Sequence, residues 1–407
     1  MKDSHSDNNY TEKILNGYTV LDFTTNISGP SATAILGDLG ADIIKIEKIP
    51  KGDDSRSMEP SFNKKSAYFI AINRSKKSLT INIKDPKGRK IIEKLIEKSD
   101  IVVENFRKDT VKSLKLDYKN MKNINERIIY ASIRSYGDIG PLSNNPGYDA
   151  IIQAETGIMS INGNKNGKPA RVGVSVLDVG SAMWLAMAVL TAVIKKERTG
   201  KGSEVSTSLY ETGLYWMNYY IEAFQLTGKI PRRYGSEHMS FAPYGAFQAS
   251  DGYIIIGISN DNLFSRLTEA IKMPELAYNP LYKTNKERVK NRKKLNSLLT
   301  SILIKNTKEY WKKILSEKLV PCAVIKDIND VLEAEQTKAL NPFQLIMENG
   351  REMKVQPVPI AVNGKHFKIN KPSPELGEDT VDILSILGYS ESDIMELESS
   401  GIIKKAM

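Results

Sequence analysis

Residues 17–47 read GYTVLDFTTNISGPSATAILGDLGADIIKIE, and this stretch decides the fold. The apolar segment Val20–Phe23 predicts a short strand, the small residues from Ser31 to Leu39 predict a helix, and Asp42–Glu47 predicts a second strand. A strand, a crossover helix and a parallel strand form a βαβ unit. The same alternation continues to Ser135, which predicts a mostly parallel, doubly wound α/β sheet.

The loop between the first strand and its helix lies where dinucleotide-binding folds hold a pyrophosphate. Glu47 ends the next strand, as the ribose-binding acid does in those folds. However, only Gly29 of the expected glycines is present, and Pro30 follows it. A pyrophosphate could not lie against this backbone as the fingerprint requires, so nicotinamide binding is not favoured. The helix N-terminus remains a candidate anion site.

Residues 171–181 read RVGVSVLDVGS and indicate a candidate catalytic position. The apolar segment Val172–Leu177 predicts a strand that stops at Asp178, with a helix beginning at once. Open α/β sheets place their chemistry at the carboxyl ends of strands. The helix N-terminus would favour the ionised form of Asp178, and Gly180 would leave room for a substrate.

Two roles are open for Asp178 at this stage. An ionised, partly desolvated carboxylate can attack a thioester carbonyl and form a mixed anhydride, with neighbouring backbone N–H groups holding the oxyanion. An aspartate between a strand and a helix is also commonly a simple N-cap. The residue pattern alone favours the structural role, because perturbed carboxylates are often structural.

The composition changes after Lys229, which indicates a second domain. Phe247–Ile258, reading FQASDGYIIIGI, predicts a hairpin with its turn at Asp251–Gly252, and lysine-rich helices follow. Strand and helix segments then alternate again towards the end of the chain. The predicted domains are a large one from residues 1–228 and 320–407 and a smaller α+β one from residues 229–319.

The charge balance suggests an anionic ligand. The 407-residue chain carries 58 Lys and Arg against 48 Asp and Glu, a net charge of +10. Nucleic acid, a membrane surface or a small polyanion could account for this excess, although most lysines are expected on solvated helix faces. No lysine block is interleaved with aromatic residues, so a nucleic-acid partner is not expected. Several lysines lie near predicted strand ends, where they would either contact a polyanion or face solvent. They are Lys45, Lys48, Lys51, Lys76, Lys77 and Lys84.

Cysteine and histidine usage predicts a cytoplasmic protein without a metal site. Cys322 is the one cysteine and there are three histidines, so neither an internal disulfide nor a His/Cys zinc site is expected. The opening residues, MKDSHSDNNYTEK, have no apolar stretch behind their charges, so no secretory signal is expected. The longest apolar run, Ala182–Ile194, is too short to span a bilayer and predicts a buried helix.

The chain also resembles the class III coenzyme A transferases, the family of formyl-CoA:oxalate and carnitine CoA-transferases. The matching segments follow one another in the same order through nearly the whole chain, and together they are specific to this family. The segments are residues 17–48, Asn73–Leu79, Glu104–Arg107, Pro146–Asp149, Val172–Ser181, Pro243–Tyr244, Asp251–Gly252, Val320–Cys322 and Leu376–Glu378.

The resemblance implies that Asp178 is the nucleophile. Asp178 would attack the acyl-CoA, and the released thiolate would convert the anhydride into an aspartyl-CoA thioester. A carboxylic acid acceptor would then run these steps in reverse. No cofactor is implied beyond coenzyme A as a substrate. The implied coenzyme A contacts are Ile27, Ser28, Lys48, Ile81 to Lys84, Asn105, Phe106 and Arg107, with Tyr148 near the thioester.

The resemblance also implies a subunit arrangement and an acceptor pocket. The family builds a large domain from both chain ends, inserts a smaller domain, and links two subunits into an interlocked homodimer. Tyr210 and His238 would line the acceptor pocket. The chain departs from the family at Ser113, where many members have an arginine. Lys112 or Lys115 could replace that contact, although only as a point charge.

Two other functions compete with CoA transfer. An α-methylacyl-CoA racemase of the same fold would need a histidine base in a Gly-His-Asp motif, whereas this chain has Gly147-Tyr148-Asp149. A tyrosine with a pKa of about 10 is a poor base at neutral pH, so the transferase is favoured. A non-catalytic acyl-CoA-binding protein would keep the fold and the lysines without needing Asp178.

Overall fold

A computed structural model describes residues 10–406, so most of the opening segment in which no secretory signal is expected lies outside the described residues. The strands are β1 (Thr19–Asp22), β2 (Asp42–Glu47), β3 (Ser61–Phe62), β4 (Lys65–Ser66), β5 (Lys76–Thr80), β6 (Ile101–Glu104), β7 (Ile129–Arg134), β8 (Ser203–Ser208), β9 (Tyr244–Ala249), β10 (Gly252–Gly257), β11 (Cys322–Val324), β12 (Gln344–Glu348), β13 (Arg351–Val355), β14 (Ala361–Val362) and β15 (Lys365–His366).

The helices complete the chain, with short 3₁₀ turns at Asp54–Ser57 and Pro274–Ala277. The α-helices are α1 (Ser28–Asp38), α2 (Ala67–Asn73), α3 (Pro86–Glu97), α4 (Lys108–Ser113), α5 (Tyr118–Ile124), α6 (Asp149–Glu155), α7 (Ile158–Ile161), α8 (Val176–Thr199), α9 (Leu209–Trp216), α10 (Asn218–Thr227), α11 (Asp261–Ala270), α12 (Asn285–Lys290), α13 (Arg292–Leu303), α14 (Lys308–Glu317), α15 (Ile328–Glu333), α16 (Glu335–Leu340), α17 (Thr380–Ile386) and α18 (Glu391–Ser399).

A six-stranded parallel sheet organises the first part of the chain and confirms the predicted doubly wound α/β fold. The strand order is β5-β2-β1-β6-β7-β8, and each neighbouring pair is parallel. The chain runs outward from β1 to β5, returns to β6 beside β1, and then runs to the other edge. This reversal places a topological switch point between β1 and β6, which is where such sheets bind ligands.

Alternate residues of the central strands pack on opposite faces of this sheet. Leu21, Val102 and Tyr130 belong to one buried cluster with apolar residues of α3, α5, α17 and α18. The residues next to them in sequence, such as Val20 and Val103, are also fully buried. Both faces of the sheet are therefore covered, and the strands read as continuous apolar runs because each side chain is buried.

The predicted strand Val172–Leu177 is wrong, because helix α8 begins at Val176 and residues 172–175 pair with no strand. The position next to β7 is taken by β8, with Ile129 opposite Ser203. No open sheet edge therefore exists at β7 for the 172–177 segment to join. As a result, Asp178 is the third residue of a helix and does not end a strand.

Helix α8 is longer and less buried than the apolar run predicted. It has 24 residues, and its length and composition alone would allow it to cross a membrane. Half of its most apolar stretch is, however, buried inside the protein. One stripe faces outward, because Val179, Met183, Met187 and Ile194 are each about half exposed. These residues follow one another at intervals of four and seven, which places them on one face of the helix.

The described chain divides into two compact units. The first contains residues up to Gly157, Val172–Ile221 and the chain from Pro342, and the second contains Ile158–Arg171 and Glu222–Asn341. The predicted boundaries differ in three places, because the second unit begins at Glu222 instead of residue 229, ends at Asn341 instead of residue 319, and includes residues 158–171. The second unit includes β11, because this strand completes a three-stranded antiparallel sheet by pairing with β10. It also includes residues 158–171, since Gly235 donates a backbone hydrogen bond to the Gly163 carbonyl.

The second unit has its own core and contains the predicted hairpin. Strands β9 and β10 pair from Tyr244 to Gly257 and turn at Ser250–Asp251. A buried cluster joins this sheet to α11, α13 and α14, with Phe264 and Trp311 among its members. The lysine-rich helices are therefore amphipathic, with their apolar residues in this core.

Candidate active site

The loops that follow β1 and β6 meet at the switch point of the sheet. The Thr25 backbone N–H donates to Asn105 Oδ1 at 3.0 Å, and Asn105 Nδ2 donates to the Thr25 carbonyl at 2.8 Å. This reciprocal pair fixes one loop against the other. A cleft of about 250 Å³ opens beside them in the first unit.

Buried ion pairs hold the first loop from below. Lys45 Nζ lies 2.8 Å from Asp53 Oδ2 and donates to the Thr24 carbonyl at 2.8 Å. Asp53 Oδ1 accepts the backbone N–H of Asn26, whose φ is +66°. Lys76 Nζ lies 2.9 Å from Asp22 Oδ2. The alternative that Lys45 and Lys76 face solvent is wrong, because both side chains are fully buried against these carboxylates.

A second buried network shapes the loop after β6. Glu104 Oε2 accepts the Phe106 backbone N–H at 2.8 Å, while Glu104 Oε1 accepts from the Tyr130 hydroxyl at 2.7 Å. Arg134, at the end of β7, pairs with the same carboxylate at 2.7 Å. Glu104 thus holds the turn that carries Asn105 and Phe106 to the cleft.

Most of the predicted site residues lie together in the cleft. Seven of them line it: Ile27, Ser28, Asn105, Phe106, Arg107, Tyr148 and Asp178. A smaller, mainly apolar slot adjoins the cleft and shares Thr25 and Phe106 with it. Lys48 and Ile81 line this slot, and Lys48 also pairs with Asp54 at 2.5 Å on the exposed side.

The remaining predicted residues line neither space. Lys84 is exposed, and so are Lys112 and Lys115 near the departure at Ser113. Tyr210 stacks on Tyr136 with ring centroids 5.9 Å apart, and its neighbour Leu209 lines the cleft in its place. The cleft therefore extends to the start of α9 without using the Tyr210 ring.

His238 belongs to the second unit and is held by its own loop. Its ring lies 4.7 Å from that of Phe241, and its Nδ1 accepts the Ser240 backbone N–H at 3.1 Å. Burial, with the Arg292 charge as a smaller cause, lowers the pKa of His238. Because Nδ1 accepts a hydrogen bond, a neutral ring would carry its proton on Nε2.

The Asp178 carboxyl has an unusual electrostatic setting. It lies in the first turn of α8 and is mostly buried. Burial, followed by the charge of Asp149, raises the pKa of Asp178 from its ordinary 3.8 to about 7. Desolvation and a like charge therefore favour the protonated form of Asp178, which is the opposite of the direction expected from the helix N-terminus.

The backbone around Asp178 corrects two further predictions. The first N–H groups of α8 are engaged, since Leu177 and Asp178 donate to Asp149 and Val179 donates to the Ser175 carbonyl. These groups do not form the expected oxyanion hole. Gly180 does not leave room for a substrate either, because a Cβ there would lie 3.0 Å from the Thr212 and Trp216 side chains. Gly180 instead permits close packing of α8 on α9.

Three residues without a predicted role are notable at this site. Met58 and Arg134 line the cleft, and Asp149 binds the backbone at Asp178. Arg134 ends β7, and the carboxyl end of a parallel strand is where such sheets place their chemistry. Asp149 stood in the matched segment Pro146–Asp149, from which only Tyr148 received a role. Among residues 10–406 no cluster of three His, Cys, Asp or Glu side chains could hold a metal ion.

The site and the fold together define an enzyme class. A doubly wound sheet binds a ligand at its switch point, and a carboxyl group lies in the cleft beside exposed and buried arginines. This arrangement suits an anionic substrate that reacts with a carboxylate.

Comparison with known proteins identifies the family. Residues 15–380 match CoA-transferase family III, so the chain belongs to this family and is a class III CoA-transferase. Succinyl-CoA:glutarate CoA-transferase of Homo sapiens is 36% identical over 395 residues, which are 96% of this chain and 90% of that protein. Acetyl-CoA:oxalate CoA-transferase of Acetobacter aceti is 36% identical, over 85% of this chain and 88% of that protein.

The fold comparison agrees with the family. The crystal structure of a CAIB/BAIF family protein from Brucella suis superposes with a TM-score of 0.84 at 32% identity, covering 93% of this chain and all of that one.

Proposed function

We propose that this protein transfers coenzyme A from an acyl-CoA to a free carboxylic acid, with Asp178 as the covalent nucleophile. One observation carries the proposal: among the described residues that line the cleft, Asp178 is the only carboxylic acid, and none is a cysteine or histidine. A carboxylate is therefore the group in the cleft that can form an acyl intermediate without a partner base.

The reaction would proceed through three covalent enzyme species, namely an anhydride with the donor, a thioester with coenzyme A and an anhydride with the acceptor. The Asp178 carboxylate attacks the thioester carbonyl, and the C–S bond breaks to give a mixed anhydride and the CoA thiolate. The thiolate attacks the aspartyl carbonyl, which releases the donor acid and leaves an aspartyl-CoA thioester. The acceptor carboxylate then attacks the aspartyl carbonyl of this thioester, and the C–S bond breaks to give a second mixed anhydride and the thiolate. The thiolate attacks the acceptor carbonyl of that anhydride, which yields the new acyl-CoA and free Asp178. No proton is gained or lost in this exchange.

Coenzyme A would occupy the cleft and the adjoining slot. The slot is mainly apolar, bounded by Ile81, Ile83 and Phe106, which suits a planar adenine ring. Lys48 lies at this slot and Arg107 lines the cleft, so both are proposed to contact phosphate groups. The pantetheine arm would then lead the thioester past Tyr148 to Asp178. Lys84 is the weakest of the proposed contacts, because it lines neither space.

The donor and acceptor are proposed from the relatives. Several relatives are named for succinyl-CoA with a dicarboxylic acid, namely glutarate, D-citramalate or mesaconate. We therefore propose succinyl-CoA as donor and a small dicarboxylate as acceptor. Oxalate belongs in the panel of acceptors as well, because a relative of similar identity is named for it.

The subunit arrangement is part of the same proposal. The exposed apolar stripe of α8, from Val179 to Ile194, would be covered in a homodimer. Light scattering on the purified protein should give twice the mass of one chain, and a monomer at micromolar concentration would contradict the proposal. Cytoplasmic location, and the expectation of neither nucleic-acid nor membrane partners, stay predictions from the sequence.

A direct assay tests the activity and the nucleophile. The protein is mixed with succinyl-CoA and a panel of carboxylic acids, and new thioesters are followed by mass spectrometry. We expect exchange with at least one dicarboxylate and none with Asp178→Ala. Coenzyme A binding and the circular dichroism of the variant should remain close to the wild type. A variant that turns over at near the wild-type rate would reject the nucleophile.

A second measurement, with a 2-methylacyl-CoA in deuterated solvent, separates the two competing functions. A racemase would exchange the α-hydrogen of a 2-methylacyl-CoA with deuterium from the solvent and form no new thioester. A non-catalytic binder would do neither while still binding acyl-CoA.

A further inference from the structure

We propose that Asp149 is a positioning residue that holds Asp178 at the start of α8 and supplies a fixed negative charge beside it. This inference rests on the proposed function, in which Asp178 is the nucleophile. Asp149 itself does not line the cleft, so it acts through Asp178.

Asp149 replaces the missing cap of α8. Ser175 occupies the N-cap position of this helix, but its side chain makes no capping hydrogen bond. Asp149 Oδ2 instead accepts the backbone N–H groups of Leu177 at 2.7 Å and Asp178 at 3.3 Å. A side chain from another helix, 28 residues earlier in the chain, therefore satisfies the first turn that carries the nucleophile.

Gln153 extends this contact to the segment that leads into α8. Gln153 Nε2 donates to Asp149 Oδ1 at 2.5 Å, and Gln153 Oε1 accepts the Val172 backbone N–H at 2.8 Å. Gln153 is fully buried and Asp149 is 6% exposed. Together they hold both ends of residues 172–178, which otherwise follow no regular strand.

Asp149 also sets the charge around the nucleophile. The elements packed most closely on α8 are α1, α6, α9, β7 and β8. Of the charged residues on these elements, Asp149 is the one whose charge raises the pKa of Asp178. The others are Asp38, paired with Arg74; Arg134, paired with Glu104; Glu211, bonded to Ser208; and Glu155 and Glu204.

The chemical consequence concerns nucleophilicity. A carboxylate that binds its proton more tightly is a stronger nucleophile when it is ionised. Asp149 cannot take the acyl group itself, because both of its oxygens are engaged with buried N–H groups. The two carboxyl groups thus have different roles in one site. Asp149 holds the start of α8 and supplies a fixed negative charge, while Asp178 reacts.

The test compares variants that separate charge from shape. Asp149→Asn removes the charge but keeps a hydrogen-bond acceptor and the side-chain size. Asp149→Ser also removes the charge and keeps an acceptor, but its side chain is smaller. Gln153→Leu breaks the link to Val172 and keeps the charge of Asp149. Each purified variant is checked by circular dichroism, and kcat/KM for acyl exchange is measured from pH 5 to pH 9. If one uncharged variant fails to fold, the other carries the test.

We expect the acidic limb of the profile to move down by about one pH unit in both uncharged variants, since a like charge is removed. The limb should stay in place in Gln153→Leu, while kcat falls. Asp149→Glu, which retains the charge, should keep the wild-type limb. Profiles that keep the wild-type limb in Asp149→Asn and Asp149→Ser would overturn the proposal.

A second readout does not depend on turnover. The readout is the free energy of unfolding, measured with denaturant at pH 5 and at pH 8. This free energy should fall further with rising pH in the wild type than in Asp149→Asn, because Asp178 is harder to ionise in the wild type. In an Asp178→Asn background this difference should disappear. Its persistence there would overturn the inference about Asp149, whereas absent exchange in a wild type that shows the difference would reject only the proposed function.

Discussion

Replacing Asp178 with asparagine should make the folded protein more stable at alkaline pH. Asparagine has the shape of the protonated side chain and cannot ionise. The wild-type carboxyl is mostly buried, and its pKa is raised to about 7. The folded protein therefore bears the cost of an ionised, desolvated carboxylate at pH 8, and the variant does not.

The size and pH range of the effect follow from the two pKa values. The folded state binds the Asp178 proton more tightly than the unfolded chain does, so it gains relative stability where the proton is bound. This advantage is fully present below the ordinary pKa of 3.8 and is lost as the pH rises to about 7. The difference between these values corresponds to at most about 4 kcal/mol.

The assay is urea unfolding of wild type and Asp178→Asn at one protein concentration, at pH 4.5 and at pH 8. At pH 4.5, just above the ordinary pKa, the variant should be more stable by only about 1 kcal/mol. At pH 8 the variant should be more stable by about 2–4 kcal/mol, because water at the mouth of the cleft screens part of the cost. Equal stabilities at pH 8, or a less stable variant, would refute the account of the Asp178 environment. Glu317→Gln, at an exposed position in the second unit, is the control for a general charge effect.

Three other outcomes are expected. The kcat/KM of wild-type exchange should rise with pH through about 7 as Asp178 ionises, and a flat profile from pH 5 to pH 8 would contradict this assignment. Arg107→Ala should raise the KM for acyl-CoA at least tenfold with a smaller change in kcat, because a phosphate contact is lost. Arg107→Lys should recover part of the lost affinity, and an unchanged KM in Arg107→Ala would exclude the contact. Lys45→Met should lower the free energy of unfolding by about 3–5 kcal/mol, since Asp53 is left buried without its cation, whereas Lys48→Met, at an exposed pair, should change it by less than about 1 kcal/mol.

The first βαβ unit could be predicted because its pattern is local. Asp42–Glu47 has the predicted bounds, and α1 starts three residues before the predicted Ser31. The apolar runs of buried parallel strands are visible in the sequence without knowledge of their partners. The earlier start of α1 depends on Gly29, where a Cβ would lie 2.4 Å from the Thr24 side chain. That contact becomes visible only once the loop is folded.

The setting of Asp178 could not be predicted, because it depends on residues that are distant in the sequence. The valines of residues 172–176 favour a strand, and local propensity alone cannot reveal that β8 already occupies the adjacent sheet position. The cap that starts α8 comes from Asp149, which no local spacing rule connects to Asp178. The sequence predicted that Asp178 lies at the site, whereas its helix, its raised pKa and its neighbour Asp149 required the tertiary structure.

Buried lysines were the other failure, with the same cause. Lys45 and Lys76 lie at strand positions where a cation could serve a ligand, but Asp53 and Asp22 neutralise them beneath the loop. A charged side chain in the sequence does not show which carboxylate the fold will bring to it. The apolar stripe of α8 likewise required the structure, because Val179 and Met183 have the same character as the buried residues between them.

Trapping the acyl-enzyme tests the central claim most directly. The protein is incubated with succinyl-CoA alone, treated with hydroxylamine and digested, and the peptide that contains Asp178 is examined by mass spectrometry. Capture of the activated aspartyl group should convert Asp178 to the hydroxamate in the wild type, in a CoA-thioester-dependent manner, while Asp149 stays unmodified. If exchange proceeds at full rate and position 178 is never labelled, the nucleophile is not Asp178.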